Sequence, residues 1–570
     1  MFNVREVDEG VVTRLAAALR VRPVTARCLA VRGVSDPAEA KGWLDPKLGG
    51  LRKPDGLAGF SVAVERLARA VTAGERIGVF GDYDVDGVTT AALLTSFMRE
   101  VGGEVIARVA DRDAGYGFGT PIADAFCDAG CGVIVTGDLG TSDAPAIAAA
   151  RARGVDVIVV DHHTVPAAGA AHPALALVNP HRADSSFPFR GMASVGLAFY
   201  LAAAIRTRLD DIGWFRTHAK PDVRELLDLV ALGTIADLVP LRGENRILAA
   251  AGLQKLQARP RAGIAALAAA AGLDAARPID EKTVSWKLAP RLNAPGRLGA
   301  AAPSLELLLA DERSAGACAA KVEEANAARR IAQDRCYEEA LAALDEHGDA
   351  PAIVIAARGW PPGVVGIVAA KLVDRTGKPA FVIGVGDDGV GRGSARAPGG
   401  QNIDLYRALA ECAPMLDRFG GHAGAAGLTV HEDRVPALRE ALGAAVARFA
   451  EGSGPIAQDA CDAEVALAEI DEPLCTELGS LAPFGQDNAA PRLVARGLRV
   501  RSSRKVGDGS HLKLDVEDAH GNVRGAIAFG QGEQDPGAGA TVDLAFTPVV
   551  SEWNGNRRVE LEVAGLAVSR

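Results

Sequence analysis

The chain has 570 residues, room for about four domains at ~150 residues each. Its 48% apolar and 24% charged residues exclude a largely disordered chain, a collagen and a coiled-coil rod. A formal net charge of −10 means that any basic footprint for nucleic acid must be local. With aromatics at 5%, Ala, Val and Leu must supply most of the core.

The N-terminal residues include Arg5, Glu6, Asp8 and Glu9 where a signal peptide needs an apolar stretch. The longest apolar runs, such as residues 197–205, fall far short of the ~18–20 residues of a membrane span. These features predict a cytoplasmic protein without a membrane segment. None of its eight cysteines forms a CxxC pair, and they are expected to be reduced core residues.

Residues 1–55 read as a short helical lead-in. From residue 76, short β-rich runs (76–80, 105–109, 131–136, 155–160) alternate with helical segments, the first at 88–99. Such alternation predicts βαβ units and a parallel sheet. Residues 195–280 read as mostly helical, and 321–344 as a long charged helix with few core positions, suited to joining two lobes. A second α/β region opens at 352–356, with further strands at 380–385 and 428–430. After residues 451–455 the texture changes to strand-like runs over 493–568, broken at 507–509, 520–522 and 553–556 by hairpin signals. The expected organisation is a lead-in (1–55), an α/β catalytic domain (56–320), a connecting helix (321–349), a second α/β lobe (350–450) and an all-β module (456–570).

The main chemical signal is positional. GDYDVDG places Asp82, Asp84 and Asp86 after the first strand, TGDLG places Asp138 after the third, and DHH places Asp161, His162 and His163 after the fourth. In an open parallel sheet, ligands bind beyond the carboxyl ends of the strands. Carboxylates gathered there repel and raise one another's pKa values, and divalent cations relieve that repulsion. Oxygen ligands with one or two imidazoles suit Mn²⁺ or Mg²⁺, and a carboxylate flanked by others can bridge two ions about 3.5–4 Å apart. A single strand-end Asp is commonly a turn or cap residue. Three such groups at strand ends point to metal. GDYDVDG also looks like part of a calcium loop, but it lacks the glutamate at the twelfth loop position and is not an EF-hand.

These motifs resemble the DHH phosphoesterase superfamily and, within it, the RecJ single-strand-specific exonucleases. The resemblance runs from about residue 70 to the end of the chain: GDYDVDG (81–87), Arg112 with GYG (115–117), TGDLG (136–140), DHH (161–163), NP (179–180), LVALGTIADLVPL (229–241), PRLNAPGRL (290–298), GVVGIVAAKL (363–372), GSAR (393–396) and FGGHAGAAGL (419–428). It implies a DHH catalytic domain, a DHHA1 lobe and a C-terminal OB-fold. It also implies two Mn²⁺ or Mg²⁺ ions held by Asp84, Asp86, Asp138, His162 and Asp237. A carboxylate at Asp237, in a helix-like segment, would be costly if unpaired. Asp82 and Asp161 match acids that support the ligands, and His163 matches a residue contacting the scissile phosphate.

Residues 384–401 hold seven glycines with Arg392 and Arg396, a composition equally of a phosphate cradle or of a surface loop. The resemblance implies that Ser394, Arg396 and His422, with Arg112 opposite, grip the DNA backbone and its 5′ end. Asn293 and Arg297 are further candidates, a capped helix start being their other reading. Residues 492–505 form a local basic run without an acid. Arg501 and Arg504 within it, and Phe529 and Trp553 beyond it, suit single-strand binding by an OB-fold. Four positions depart from the pattern: Leu139 stands where Asn is usual, Gly137 where Val is usual, Pro361 where His follows Trp360, and Ala397 where Ser is usual. None removes a metal-ligand position, but Leu139 and Pro361 bear on the surrounding geometry.

The reading is a metal-dependent 5′→3′ exonuclease that releases 5′-mononucleotides from single-stranded DNA, in recombination and mismatch repair. A monomer is expected, with a single-stranded-DNA-binding protein and a helicase as partners. The alternatives are a DHH phosphodiesterase acting on short oligonucleotides and a non-catalytic DNA-binding relative. The β module argues against the first, and retention of all five ligand positions against the second.

Overall fold

The computed structural model describes residues 2–112, 117–166, 171–275, 277–344, 350–399, 403–450, 460–553 and 556–568. Parts of GYG (115–117), of the glycine-rich stretch (384–401), of the connecting segment (321–349), of the last predicted hairpin turn (553–556) and all of 451–455 lie outside the described residues. The chain divides into two compact units, one of residues 52–239 and 251–456, the other of residues 1–51, 240–250 and 457–570.

The larger unit opens with a five-stranded, all-parallel sheet: β1 (Arg76–Gly81), β2 (Glu104–Val109), β3 (Cys131–Gly137), β4 (Asp156–Val160) and β5 (Ala176–Val178), in the order β2-β1-β3-β4-β5. The runs IGVFG, VIVTG and VIVV are buried almost throughout, as a parallel sheet requires. β2 lies at an edge and is partly exposed along its length. Helix α1 (Val85–Glu100) follows β1 and packs beside α2 (Ser194–Asp211) and α3 (Leu227–Ala236).

PRLNAPGRL lies within α4 (Ala289–Leu298), which packs on the 28-residue helix α5 (Ala315–Ala342). As expected of a connector, few positions of α5 are buried. It leads to a second sheet: β6 (Ile353–Arg358), β7 (Ala380–Val385), β8 (Val390–Arg396), β9 (Arg418–Gly421) and β10 (Ala425–His431), in the order β9-β10-β8-β7-β6. Helix α6 (Pro362–Thr376) crosses between the parallel pair β6 and β7.

Of the two readings of the glycine-rich stretch, the surface loop does not hold for its centre. Residues 390–396 form a strand between β7 and β10. Gly393 answers a packing need, since a Cβ there would lie 2.8 Å from Ile383 and 3.1 Å from Leu428. Pro361 occupies the N-cap of α6, a position at which the missing amide proton is not needed.

In the smaller unit, β11 (Leu493–Val506), β12 (His511–Glu517), β13 (Val523–Ala528), β14 (Thr541–Trp553) and β15 (Asn556–Val568) run β11-β12-β13-β15-β14, and β14 pairs with β11 to close the barrel. Of these five strands, β13 and β15 pair in parallel, and the short strand Ala463–Glu464 adds a parallel pairing with Leu493–Val494 of β11. This is the five-stranded OB-fold. The lead-in does not stand apart from it. Its helices Glu9–Leu19, Pro23–Val31 and Pro37–Leu44 bury Leu15, Leu29 and Trp43 in one core with Leu478, Leu514 and Phe546. Asn3–Val4 pairs with Ala460–Cys461. Arg246, from residues 240–250, hydrogen-bonds the carbonyls of Trp43 and Leu481. Among the described residues no helix is long and apolar enough to cross a membrane.

Candidate metal centre and anion pocket

The sheet brings the predicted acids and histidines to one edge. Asp82, Asp84 and Asp86 follow β1, and the Asp84 carboxylate caps α1 by accepting from Gly87 N–H. Asp138 follows β3 in a left-handed conformation with φ 65°. His162 and His163 follow β4, and Asp237 caps the C-terminal end of α3. His162 Nε2 lies 3.2 Å from Asp138 Oδ1 and 3.3 Å from Asp237 Oδ2. Three donor sets have ligand atoms within 4.8 Å of one another: Asp82–Asp84–Asp138, Asp86–His162–Asp237 and Asp138–His162–His163. Asp82, read from the sequence as a supporting acid, thus belongs to a donor set.

Burial and mutual repulsion act on these carboxyls together. Burial, with the Asp84 charge, pushes Asp82 and Asp86 up to about 7. Burial, with Asp86 and Asp84, pushes Asp237 up to about 9. Asp138 is raised well above the usual carboxylate range by burial and by Asp84 and Asp86. Asp237 Oδ2 is buried without a hydrogen-bond donor. Buried acids that repel one another, one of them with an oxygen lacking a donor, are the donor set a divalent cation satisfies, so the residues present fit the metals the sequence implied.

The two histidines differ. Burial and the neighbouring His163 charge pull His162 down to about 4, leaving a neutral ring. Burial also opposes charge on His163, but its hydrogen bond and ion pair with Asp161 lift it to about 9. Asp161 in turn accepts from His162 N–H, His163 N–H and Thr141 N–H. Its carboxylate folds the DHH turn and belongs to none of the three donor sets. Asn179 ties Thr141 to the His163 carbonyl.

Beside these acids lies a group of arginines. Arg112 stacks over the Tyr83 ring at 4.0 Å and donates to Gly296 O. Gly296 is required there, because a Cβ would sit 2.5 Å from Tyr83 O. Arg297 donates to Gly363 O. Burial and the charges of Arg112, Arg329 and Arg396 push its guanidinium down to about 10. Ser394 Oγ and Arg396 Nη2 both lie over Gly366 of α6. Arg329 reaches this group from α5, and its Nε is buried without a partner. Among the described residues none of these four arginines forms an ion pair with a carboxylate, so the pocket presents net positive charge for an anion. The sequence reading missed Arg329, Tyr83 and Ser194. Arg329 sits in a run of ordinary helix surface charges, and only the fold distinguishes it.

The other candidates are placed differently. His422 is exposed in the β9–β10 turn, near the Arg396 end of its sheet, and Asn293 is half-buried in α4. In the barrel, Arg501 is exposed and 3.9 Å from Glu517, and Arg504 is exposed opposite Lys513. Phe529 is exposed, with its ring 5.3 Å from that of His511. Arg496 of the basic run is taken by Glu464 and Asp543. The Trp553 side chain lies outside the described residues.

The fold and site define an α/β phosphoesterase-type centre joined to an OB-fold barrel. Residues 76–234 match the DHH family N-terminal domain, 349–448 the DHHA1 domain and 461–565 the RecJ OB domain. The chain is 35% identical to the single-stranded-DNA-specific exonuclease RecJ of Escherichia coli K12, over 98% of this chain and 97% of that protein. It is 33% identical to the protein of the same name from Bacillus subtilis, over 100% of this chain and 71% of that one. The crystal structure of RecJ in complex with Mn²⁺ from Thermus thermophilus superposes with a TM-score of 0.85 at 29% identity, covering 100% of this chain and 79% of that one. The corresponding Mg²⁺ complex superposes with a TM-score of 0.78. The chain belongs to the RecJ family.

Proposed function

We propose that this chain is a Mn²⁺- or Mg²⁺-dependent exonuclease that degrades single-stranded DNA from its 5′ end to 5′-mononucleotides. The observation that carries this reading is the adjacency of two groups of opposite character: acids and a neutral histidine in three sharing donor sets, and arginines without carboxylate partners among the described residues. Asp84, Asp86, Asp138, His162 and Asp237 would hold two ions, with Asp82 beside them. When bound, such ions supply Lewis acidity and charge neutralisation to phosphodiester hydrolysis.

The chain's own residues do the rest. His163 keeps its Nδ1 proton on Asp161 and offers Nε2–H to an oxygen of the scissile phosphate. Arg297 and Arg396 bind the terminal phosphate by charge-assisted hydrogen bonds, with Ser394 as a further donor. Arg112 is held by Tyr83 and Gly296 to contact the backbone, with His422 and Asn293 as outer contacts. In the barrel, Arg501, Arg504, Phe529 and Trp553 receive the strand by charge and stacking. A place in recombination and mismatch repair, with a helicase and a single-stranded-DNA-binding protein as partners, rests on the family resemblance. The cytoplasmic location rests on the charged N-terminal residues and short apolar runs, and the chain is taken to act as a monomer.

The test is digestion of 5′- and 3′-labelled single-stranded DNA with Mn²⁺, Mg²⁺ or EDTA, with duplex and RNA as controls. Metal-dependent mononucleotide release from the 5′ end, abolished by Asp138→Ala, is the expected result. Binding without cleavage would overturn the reading, as would cleavage confined to very short oligomers.

A further inference from the structure

We infer that Ser194 is a positioning residue for the metal centre, orienting Asp138 through its hydroxyl and Asp86 through its amide. Ser194 is the first residue of α2 and fully buried. Its Oγ donates to Asp138 Oδ1 at 3.1 Å. Its N–H donates to Asp86 Oδ2 at 2.7 Å, and the next amide, of Val195, donates to Asp86 Oδ1 at 2.9 Å. One helix end therefore fixes both oxygens of one carboxylate and one oxygen of another, though the two acids leave different strands.

Asp138 needs such a hold. It sits at φ 65°, a conformation that costs an L-residue energy and persists only where its surroundings enforce it. The adjacent side chain gives no help: Leu139, standing where the family resemblance expects Asn, is buried in the apolar cluster with Phe80, Phe118 and Val159. Among the described residues, the Ser194 hydroxyl is the one side-chain O–H that donates to Asp138. Groups that orient a ligating carboxylate typically carry 10–100-fold in metal affinity or activity.

The inference rests on the proposed metal-holding role of Asp86 and Asp138, and the two are separable. Mn²⁺ binding to the full-length wild-type protein, read by electron paramagnetic resonance without DNA, tests that role. The shift in Ser194→Ala tests the inference. Ser194→Ala keeps both amides and removes only the hydroxyl, so Mn²⁺ affinity is expected to fall about tenfold or more, with DNA binding in EDTA unchanged. Ser194→Cys, similar in size with a weaker donor, should fall between. Thr95→Val, which deletes a buried hydroxyl that has no hydrogen-bond partner, should leave Mn²⁺ affinity as in the wild type. Wild-type Mn²⁺ affinity in folded Ser194→Ala and Ser194→Cys would overturn the inference. So would a melting temperature that falls without a change in Mn²⁺ affinity.

Discussion

Asp161 and His163 lie 2.8 Å apart, Oδ1 to Nδ1, and this pair sets the two adjacent histidines on opposite sides of neutrality. His163 is held protonated, and its charge helps to keep His162 neutral and its ring nitrogen available as a ligand. Environments that push neighbouring groups apart in pKa assign them different work.

If the pair acts as one device, Asp161→Asn and His163→Gln should each slow single-strand digestion by about 10–100-fold. The double variant should be little worse than either single one, because the second change removes a partner already lost. Exonuclease rates of the three variants make the cycle. Losses that simply multiply would show two independent residues.

The crowded acids make metal-free stability fall with pH. Their folded values lie above the ordinary 3.8, at about 7 for Asp86 and about 9 for Asp237. The folded protein therefore binds more protons than the unfolded chain across that window. Their contribution is fully present below about pH 4 and is lost as pH rises through these values. Thermal melts in EDTA should drop between pH 6 and pH 9, and added Mn²⁺ should raise them most at pH 9. A flat metal-free profile would mean that the carboxyls do not interact as described.

The anion pocket predicts selectivity for the strand end. Arg297→Ala should raise KM for 5′-phosphorylated DNA by about 10–100-fold, with a smaller effect on a 5′-hydroxyl strand, since charge-assisted hydrogen bonds are roughly twice as strong as neutral ones. Arg329→Ala should do the same to a lesser degree. Equal losses on both substrates would place these side chains elsewhere on the strand.

The barrel should add affinity for length without touching chemistry. Phe529→Ala is expected to weaken binding of a long single strand by about tenfold, within the ~1–3 kcal/mol of one base–aromatic stack. Arg504→Ala should lower the salt dependence of binding by roughly one contact. Turnover of a trinucleotide should be unchanged in both. Fluorescence anisotropy across salt concentrations reads both effects, and an unaltered long-strand affinity would take Phe529 out of the interface.

The chemistry at the strand ends was legible because a parallel sheet sends its loops to one edge: Asp84, Asp138 and His162 needed only their strands to be found. The glycine-rich stretch stayed open between cradle and loop, because Gly393 serves close packing against Ile383 and Leu428, a need that local pattern does not reveal. Ser194 and Arg329 were invisible for another reason. They meet their partners only through the fold: Ser194 lies far along the chain from Asp86 and Asp138, and nothing in a helix start or a charged helix face announces such a meeting.

The lead-in helices and residues 240–250 share a compact unit with the barrel, although residues 52–239 and 251–456 intervene. The barrel is thus no detachable tail. A fragment cut at residue 457 would lose Leu15, Leu29 and Trp43 from its interior and Arg246 from its carbonyls. A catalytic fragment shorn of the barrel would carry the lead-in helices with their apolar faces uncovered. Any attempt to transplant the strand-binding module, or to minimise the nuclease by trimming one terminus, therefore has to move three separate stretches of chain together.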